Sequence, residues 1–504
     1  MRANRDADQR RANPRVRAQS SRPQVETYSA RAGTAVSERA DLSAEQATEE
    51  LLAVIGDSVQ FAPTLVVWLI DVSPSAAGWG REIHSRVRRF YEETVPGLIG
   101  TETDRLETAV WTIGRAVEER TPRTGDPSEV VRALDSLSVD ESGREVTFEA
   151  VQRALEAFVP ARVEQRREVL LIIISDEAGD DWQKVDQLVH EPRKYAVPIY
   201  VIGVPAPFGR LAALSDSVEA GAAVDSAAGS WRPILQGPES RAPERIHLKT
   251  PTYEEDLELI DSGFGPFGLE YLTRASGGAY LCVRRSAARD FSFTVERNSW
   301  PLAGSVGPDP EIMQAYRPEL QDAEAYQQQL NSNRALMALH QAAQLPPAEV
   351  LRDPQLTFLK RSEADLKNVL DKAQQAAAKV APAVDQLYEL LRDGAVDAEQ
   401  LRAPRLRAGF DLAFGRVCAA KARIDGYNSM LAALKRGKSF EDESSTTWVL
   451  QRAGTCDASS SLEKLIDRAK TLLQRVVDQH PGTPWARIAR RELEEPIGWE
   501  WTEQ

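Results

Sequence analysis

Cysteine and histidine are scarce in this chain of 504 residues. The three cysteines (Cys282, Cys418, Cys456) are far apart and odd in number, which excludes a disulfide framework, and no CxxC pair points to zinc. The five histidines (His84, His190, His247, His340, His480) stand alone, so an HExxH zinc helix is excluded. Long apolar runs are also missing. The best, FAPTLVVWLI over residues 61–70, contains a proline and has about half the ~20 residues that a spanning helix needs. Net positive charge is lacking as well: 62 basic against 76 acidic residues leave a formal charge of −14, a poor basis for a broad nucleic-acid-binding surface. No apolar stretch follows Met1, so no secretory signal is expected. The unpaired cysteines favour a reducing compartment. A cytoplasmic location is therefore the expectation, with export as the alternative should the true start lie upstream.

The composition that remains is that of a globular protein, with 42% apolar and 27% charged residues and length for two to four domains. Residues 1–44 stand apart. Segment 1–40 carries nine arginines against four acids, with Tyr28 its only aromatic, and reads as a disordered basic arm.

From about residue 60 to 290, strand-like runs alternate with helix-like runs. The strands are expected at Leu65–Ile70, Thr108–Ile113, Val169–Ser175, Pro198–Val204 and Ala279–Val283. Two are almost wholly apolar, as strands are when helices cover both faces of a sheet. Between them, Ile83, Val87, Phe90 and Tyr91 make one apolar helix face, and Phe148, Val151, Leu155 and Phe158 another. Asp126-Pro127 opens a helix as N-cap and first-turn proline. The pattern predicts an α/β fold with a doubly wound, mostly parallel sheet, whose ligands bind at the carboxyl ends of the strands. Residues 205–262, rich in Pro, Gly, Ser and Ala, read as an insertion. Gly263 to Gly268 formally matches GxGxxG, but it sits late in the domain and Pro266 removes an amide, so it reads as a turn.

After about residue 311 the strand signal fades, and a separate all-α C-terminal domain is expected over 311–504. Ser362 with Asp365 opens one helix, which Pro382 is expected to kink or restart. Phe410 to Leu434 carries a second apolar stripe, and Leu462 to Val477 a third, ending at Pro481-Gly482. Thr483-Pro484 starts a short last helix. Trp499 and Trp501 are expected to pack against this domain.

The chemistry concentrates at the end of the first strand, Asp71-Val72-Ser73-Pro74-Ser75. Three oxygen side chains at i, i+2 and i+4 in a strand-to-helix turn suit a hard cation such as Mg²⁺. Alone the pattern is weak, because a serine there also serves as a helix cap. The later strand VLLIIIS ends in Asp176, and between the two Thr147 opens the helix TFEAVQRAL.

In order and spacing these three pieces resemble the von Willebrand factor A domain. The resemblance covers residues 60–290. It implies a metal-ion-dependent adhesion site at Asp71, Ser73, Ser75, Thr147 and Asp176, holding Mg²⁺, or Mn²⁺, with one position open for a carboxylate from a protein partner. It also implies an interaction module, not an enzyme. More loosely, DEAGDD, VPAPFGR and HPGTPWA resemble a group of bacterial proteins with this domain. Glu177 departs from the family, which often has glycine there; with Asp180 and Asp181 it reads as a solvated acidic loop. Two alternatives stay open. One is a haloacid-dehalogenase-like phosphatase with Asp71 as nucleophile, although Ser73 stands where that family needs a second acid. The other is a structural domain whose metal site is a relic.

Overall fold

The computed structural model describes residues 42–102, 104–210, 236–249, 260–284, 307–351, 353–442, 444–456 and 458–504. Residues 1–41 and most of the expected insertion lie outside these residues, whereas residues 42–44, expected to be disordered, are ordered: Leu42 bridges Val283 and Ser43 caps the first helix.

The N-terminal half alternates as the sequence predicts. It runs α1 (Ala44–Phe61), β1 (Thr64–Asp71), α2 (Pro74–Arg89), α3 (Val95–Ile99), β2 (Leu106–Ile113), β3 (Glu118–Thr124), α4 (Pro127–Asp135), α5 (Thr147–Val163), β4 (Glu168–Ile174), α6 (Val185–Leu188), α7 (His190–Tyr195), β5 (Ile199–Gly203), β6 (Leu248–Lys249), α8 (Phe267–Ser276) and β7 (Tyr280–Cys282). The main sheet has the order β3-β2-β1-β4-β5-β7. Every pairing in it is parallel except β2 with β3.

Side-chain alternation builds two cores from one strand. In β1, Val66, Trp68 and Ile70 face a layer that includes Leu51 and Ile55 of α1 and Ile83 and Val87 of α2. Leu65, Val67 and Leu69 face the opposite layer, with Phe148, Val151 and Leu155 of α5 and Leu269 and Leu272 of α8. All eight residues of β1 are buried. With both faces covered, the carboxyl ends of β1 and β4 are left to carry function.

Helix α1 and strand β3 are among the elements not expected from sequence, as are α3 and β6. Helix α1 lies ahead of the expected alternation, and it starts with a capping box in which Ser43 and Gln46 bond each other's amides. Strand β3, EERTPRT, is polar and contains Pro122, which an edge strand tolerates because its outer side has no partner.

The C-terminal region continues with α9 (Pro310–Met313), α10 (Ala323–Ser332), α11 (Arg334–Ala343), β8 (Ala348–Glu349), β9 (Thr357–Leu359), α12 (Glu363–Gly394), α13 (Pro404–Lys435), β10 (Thr447–Ala453), α14 (Ser460–Gln479), α15 (Pro484–Glu494) and β11 (Gly498–Glu503). The long helices start as expected, α12 capped by Ser362 and α15 by Thr483. Helix α12 runs unbroken past Pro382. Pro382 and Ala378 are both exposed, so water can take the hydrogen bond that the proline cannot donate. The region is not purely helical. Strands β9, β10 and β11 form a three-stranded antiparallel sheet, and β8 pairs with β6. Trp499 is buried and its Nε1 donates to the Arg423 carbonyl, 2.8 Å away on α13.

Two sequence runs outside the candidate site meet where the halves join. Phe208, in the VPAPFGR turn that follows β5, packs edge to face on Trp485 of HPGTPWA, with ring centroids 4.7 Å apart. Tyr316 stacks on the same indole. Beside them, buried Arg405 of α13 is ion-paired to Glu244 and Glu319.

Candidate metal site at the carboxyl ends of β1 and β4

Asp71 is the last residue of β1 and is 2% exposed. Its Oδ1 accepts the Ser73 amide at 2.8 Å, and its Oδ2 accepts the Ser175 hydroxyl at 2.7 Å. Burial raises its pKa above the usual carboxylate range, although those hydrogen bonds act in the opposite direction. Ser73 is the N-cap of α2, with Pro74 in the first turn, and its Oγ accepts the Ala76 amide at 3.3 Å. Capping and site geometry thus use one side chain. The Ser73 and Ser75 hydroxyls are 3.0 Å apart. Ser75 Oγ then donates to Asp176 Oδ1 at 3.3 Å. Four of the five expected site residues therefore form one hydrogen-bonded set.

Thr147 reaches the same face from the first turn of α5, without a hydrogen bond to the other four. Its residue is fully buried and its Oγ1 has no hydrogen-bond partner. The loop after β4 holds it in place. The Asp180 amide donates to the Glu145 carbonyl at 2.9 Å. Asp181 accepts the amides of Phe148 at 3.0 Å and Glu149 at 2.8 Å, closing the exposed N-terminus of α5. Gly179 (φ +80°) lies against Thr147: a Cβ on it would come within 3.0 Å of Thr147 Cβ, so the turn admits no larger residue without a shift.

These contacts correct the expectation of a solvated acidic loop. Asp181 is a helix cap, and Glu177 is buried at 8% exposure. Burial, and then the neighbouring carboxylates of Glu145, Asp176 and Asp71, push the Glu177 carboxyl up to about 11. Glu177 also shares a hydrogen bond with Glu145, an arrangement that two carboxylates make only with a proton between them. The departure from glycine at this position is legible in the sequence, but its burial is not, because burial depends on residue 145 packing against it.

Among the described residues, no three His, Cys, Asp or Glu side chains group as metal ligands. The candidate set has instead two carboxylates and three hydroxyls. All are oxygen donors, as a small hard cation requires, and an orphaned buried hydroxyl at Thr147 is what a missing electrophile would leave. The residues fit such an ion.

Residues 66–223 match the family described as von Willebrand factor type A domain. This chain carries a von Willebrand factor type A domain. No curated protein matches it by sequence. Solved structures similar to it include BatB from Bacteroides thetaiotaomicron, 15% identical over 44% of this chain and 90% of that one, with a TM-score of 0.26. The von Willebrand factor domain of the pilus tip protein Mfa5 from Porphyromonas gingivalis is 19% identical over 23% of this chain and 38% of that one, with a TM-score of 0.19. Manganese-loaded TRAP from Plasmodium vivax is 14% identical over 28% and 57%, with a TM-score of 0.24.

The von Willebrand factor type A family consists in general of non-enzymatic interaction modules that often bind a divalent metal. The GxGxxG run is a turn, with Gly263 at φ +84° leading into α8. Among the described residues, no helix is long and apolar enough to cross a membrane.

Proposed function

We propose that this chain is a divalent-cation-dependent protein-interaction module. Asp71, Ser73, Ser75, Thr147 and Asp176 hold Mg²⁺, with Mn²⁺ as a substitute, and leave one position for a carboxylate of a partner protein. The ion then bridges the two proteins, and binding requires it. Mg²⁺ suits this role because it retains waters that a partner's oxygen can replace.

The observation that carries the reading is the all-oxygen set at the ends of β1 and β4, buried except for the half-buried Ser75, with Thr147 Oγ1 left without a partner. The same set speaks against catalysis by Asp71. Both its oxygens accept hydrogen bonds from Ser73 and Ser175, and position 73 supplies no acid to protonate a leaving group.

Calorimetric titration of Mg²⁺ and Mn²⁺ into the full chain, beside Asp71→Ala, tests the reading. Saturable binding at one site, lost in the folded variant, is expected. Equal binding by the variant would remove Asp71 from the site, and no binding by the parent would leave the relic reading.

A further inference from the structure

Ser175 directly precedes Asp176 and touches Asp71. It closes the VLLIIIS run of the sequence and is fully buried. Its hydroxyl donates to Asp71 Oδ2 at 2.7 Å, a charge-assisted bond from the end of β4 to the end of β1. Its Oγ also accepts the Glu177 amide at 3.2 Å, so the one hydroxyl proton is left for Asp71.

The backbone holds Ser175 where it is. Its amide donates to the Ile202 carbonyl on β5 at 3.2 Å. A Cβ on Gly203 would come within 2.8 Å of the Ser175 carbonyl oxygen, so the neighbouring strand packs directly against it. The other oxygen of Asp71 is fixed too: Oδ1 accepts the Ser73 amide at 2.8 Å, from the turn into α2. One oxygen of this carboxylate is thus tied to the end of β4 and the other to the start of α2.

We propose that Ser175 determines which cation the site takes: by holding Asp71 Oδ2 it confines Asp71 to a single oxygen contact, and so selects a small six-coordinate ion over Ca²⁺. The inference rests on the metal-dependent reading above and adds the residue that chooses the ion. One oxygen each from Asp71, Ser73, Ser75, Thr147 and Asp176, with the partner's position, completes the octahedron that Mg²⁺ demands. Ca²⁺ takes about six to eight oxygens and gains the extra ones by accepting both oxygens of a carboxylate. Within the set only Asp71 and Asp176 have a second oxygen to give. Turning both oxygens of Asp71 onto one ion sacrifices a bond to Ser175 or to Ser73. Ser175 acts through Asp71, without touching the ion, and is in that sense a positioning residue.

The test is calorimetric titration of Mg²⁺ and of Ca²⁺ into the full chain, Ser175→Ala and Ser175→Thr. The ratio of the two affinities is the readout, because a variant that merely loosens the fold weakens both ions alike and leaves the ratio unchanged. The parent is expected to prefer Mg²⁺. In Ser175→Ala, Mg²⁺ is expected to bind about tenfold more weakly, the low end for losing a group that orients a metal ligand, while Ca²⁺ binds no more weakly than before. Ser175→Thr keeps the hydroxyl and is expected to keep the parent's ratio. An alanine variant with the parent's ratio, or a parent that prefers Ca²⁺, would overturn the proposal. A folded threonine variant with the alanine ratio would do the same, and if the threonine variant does not fold, the alanine ratio decides alone. A parent that binds neither ion would instead overturn the reading beneath it.

Discussion

Asp181 accepts the amides of both Phe148 and Glu149, so the loop that follows β4 fixes the end of the helix that carries Thr147. Two pieces of the candidate site, far apart in sequence, are thereby held as one. Replacing Asp181 with Ala leaves those two amides without their acceptor. The expected loss is about 1–2 kcal/mol of stability, the usual range for removing a helix cap. Mg²⁺ affinity should fall as well, because Thr147 loses its anchor. Denaturant melts and calorimetry on the same variant check both; a variant as stable as the parent would show that water replaces the cap.

Thr147→Val separates ligand from scaffold. The substitution keeps the branched shape and removes a buried hydroxyl that has no partner. Stability should hold or rise by about 1 kcal/mol, since an unsatisfied buried polar atom is lost. Mg²⁺ affinity should drop about tenfold, the scale of one modest metal contact. Unchanged affinity would take Thr147 out of the ligand set.

His84 gives the fold a pH dependence with a defined sign. Burial holds its imidazole down to about 4, below its unfolded value of 6.5. Between those values the unfolded chain binds the proton and the folded chain does not. Stability from this residue is thus complete above pH 6.5 and falls as the pH drops toward 4. The loss is on the order of 3 kcal/mol. His84→Gln should flatten that part of the stability profile relative to the parent, and parallel profiles for the two proteins would refute the assignment.

Glu492 is 3% exposed and is ion-paired to Arg416 at 3.2 Å and to Arg423. Burial alone would raise its pKa, but the two guanidinium groups hold it below the usual carboxylate range. Glu492→Ala leaves two buried cations without their shared partner. A loss of about 3–5 kcal/mol is expected, read as a lower denaturant midpoint. A loss under about 1 kcal/mol would mean that Glu495, whose carboxylate lies 3.8 Å from Arg423, takes over the pairing.

The main sheet was legible because its inner strands are apolar on both faces and leave no competing period, as in β4, EVLLIII. The edges were not. Strand β3 has a solvated side and reads as a polar loop, and β9 has only three residues. Strand β11, GWEWTE, does alternate, with Trp499 buried; its tryptophans read equally well as packing on a helix, and only pairing with β10 decides for a strand. At the candidate site, the motif supplied Asp71, Ser73 and Ser75 directly. Asp181 as a cap and Glu177 as a buried acid depend on contacts with residues 145–149, which no local pattern announces.

The hydrogen-bonded set of Asp71, Ser73, Ser75 and Asp176 also bears on how fast and with what thermodynamic signature an ion would enter. Its side chains already occupy one region before any ligand arrives, so their rotational freedom was given up during folding. An ion exchanges hydrogen bonds for metal–oxygen bonds without ordering a loop. The heat capacity change on binding should therefore be near zero, and association should be limited by stripping water from the ion.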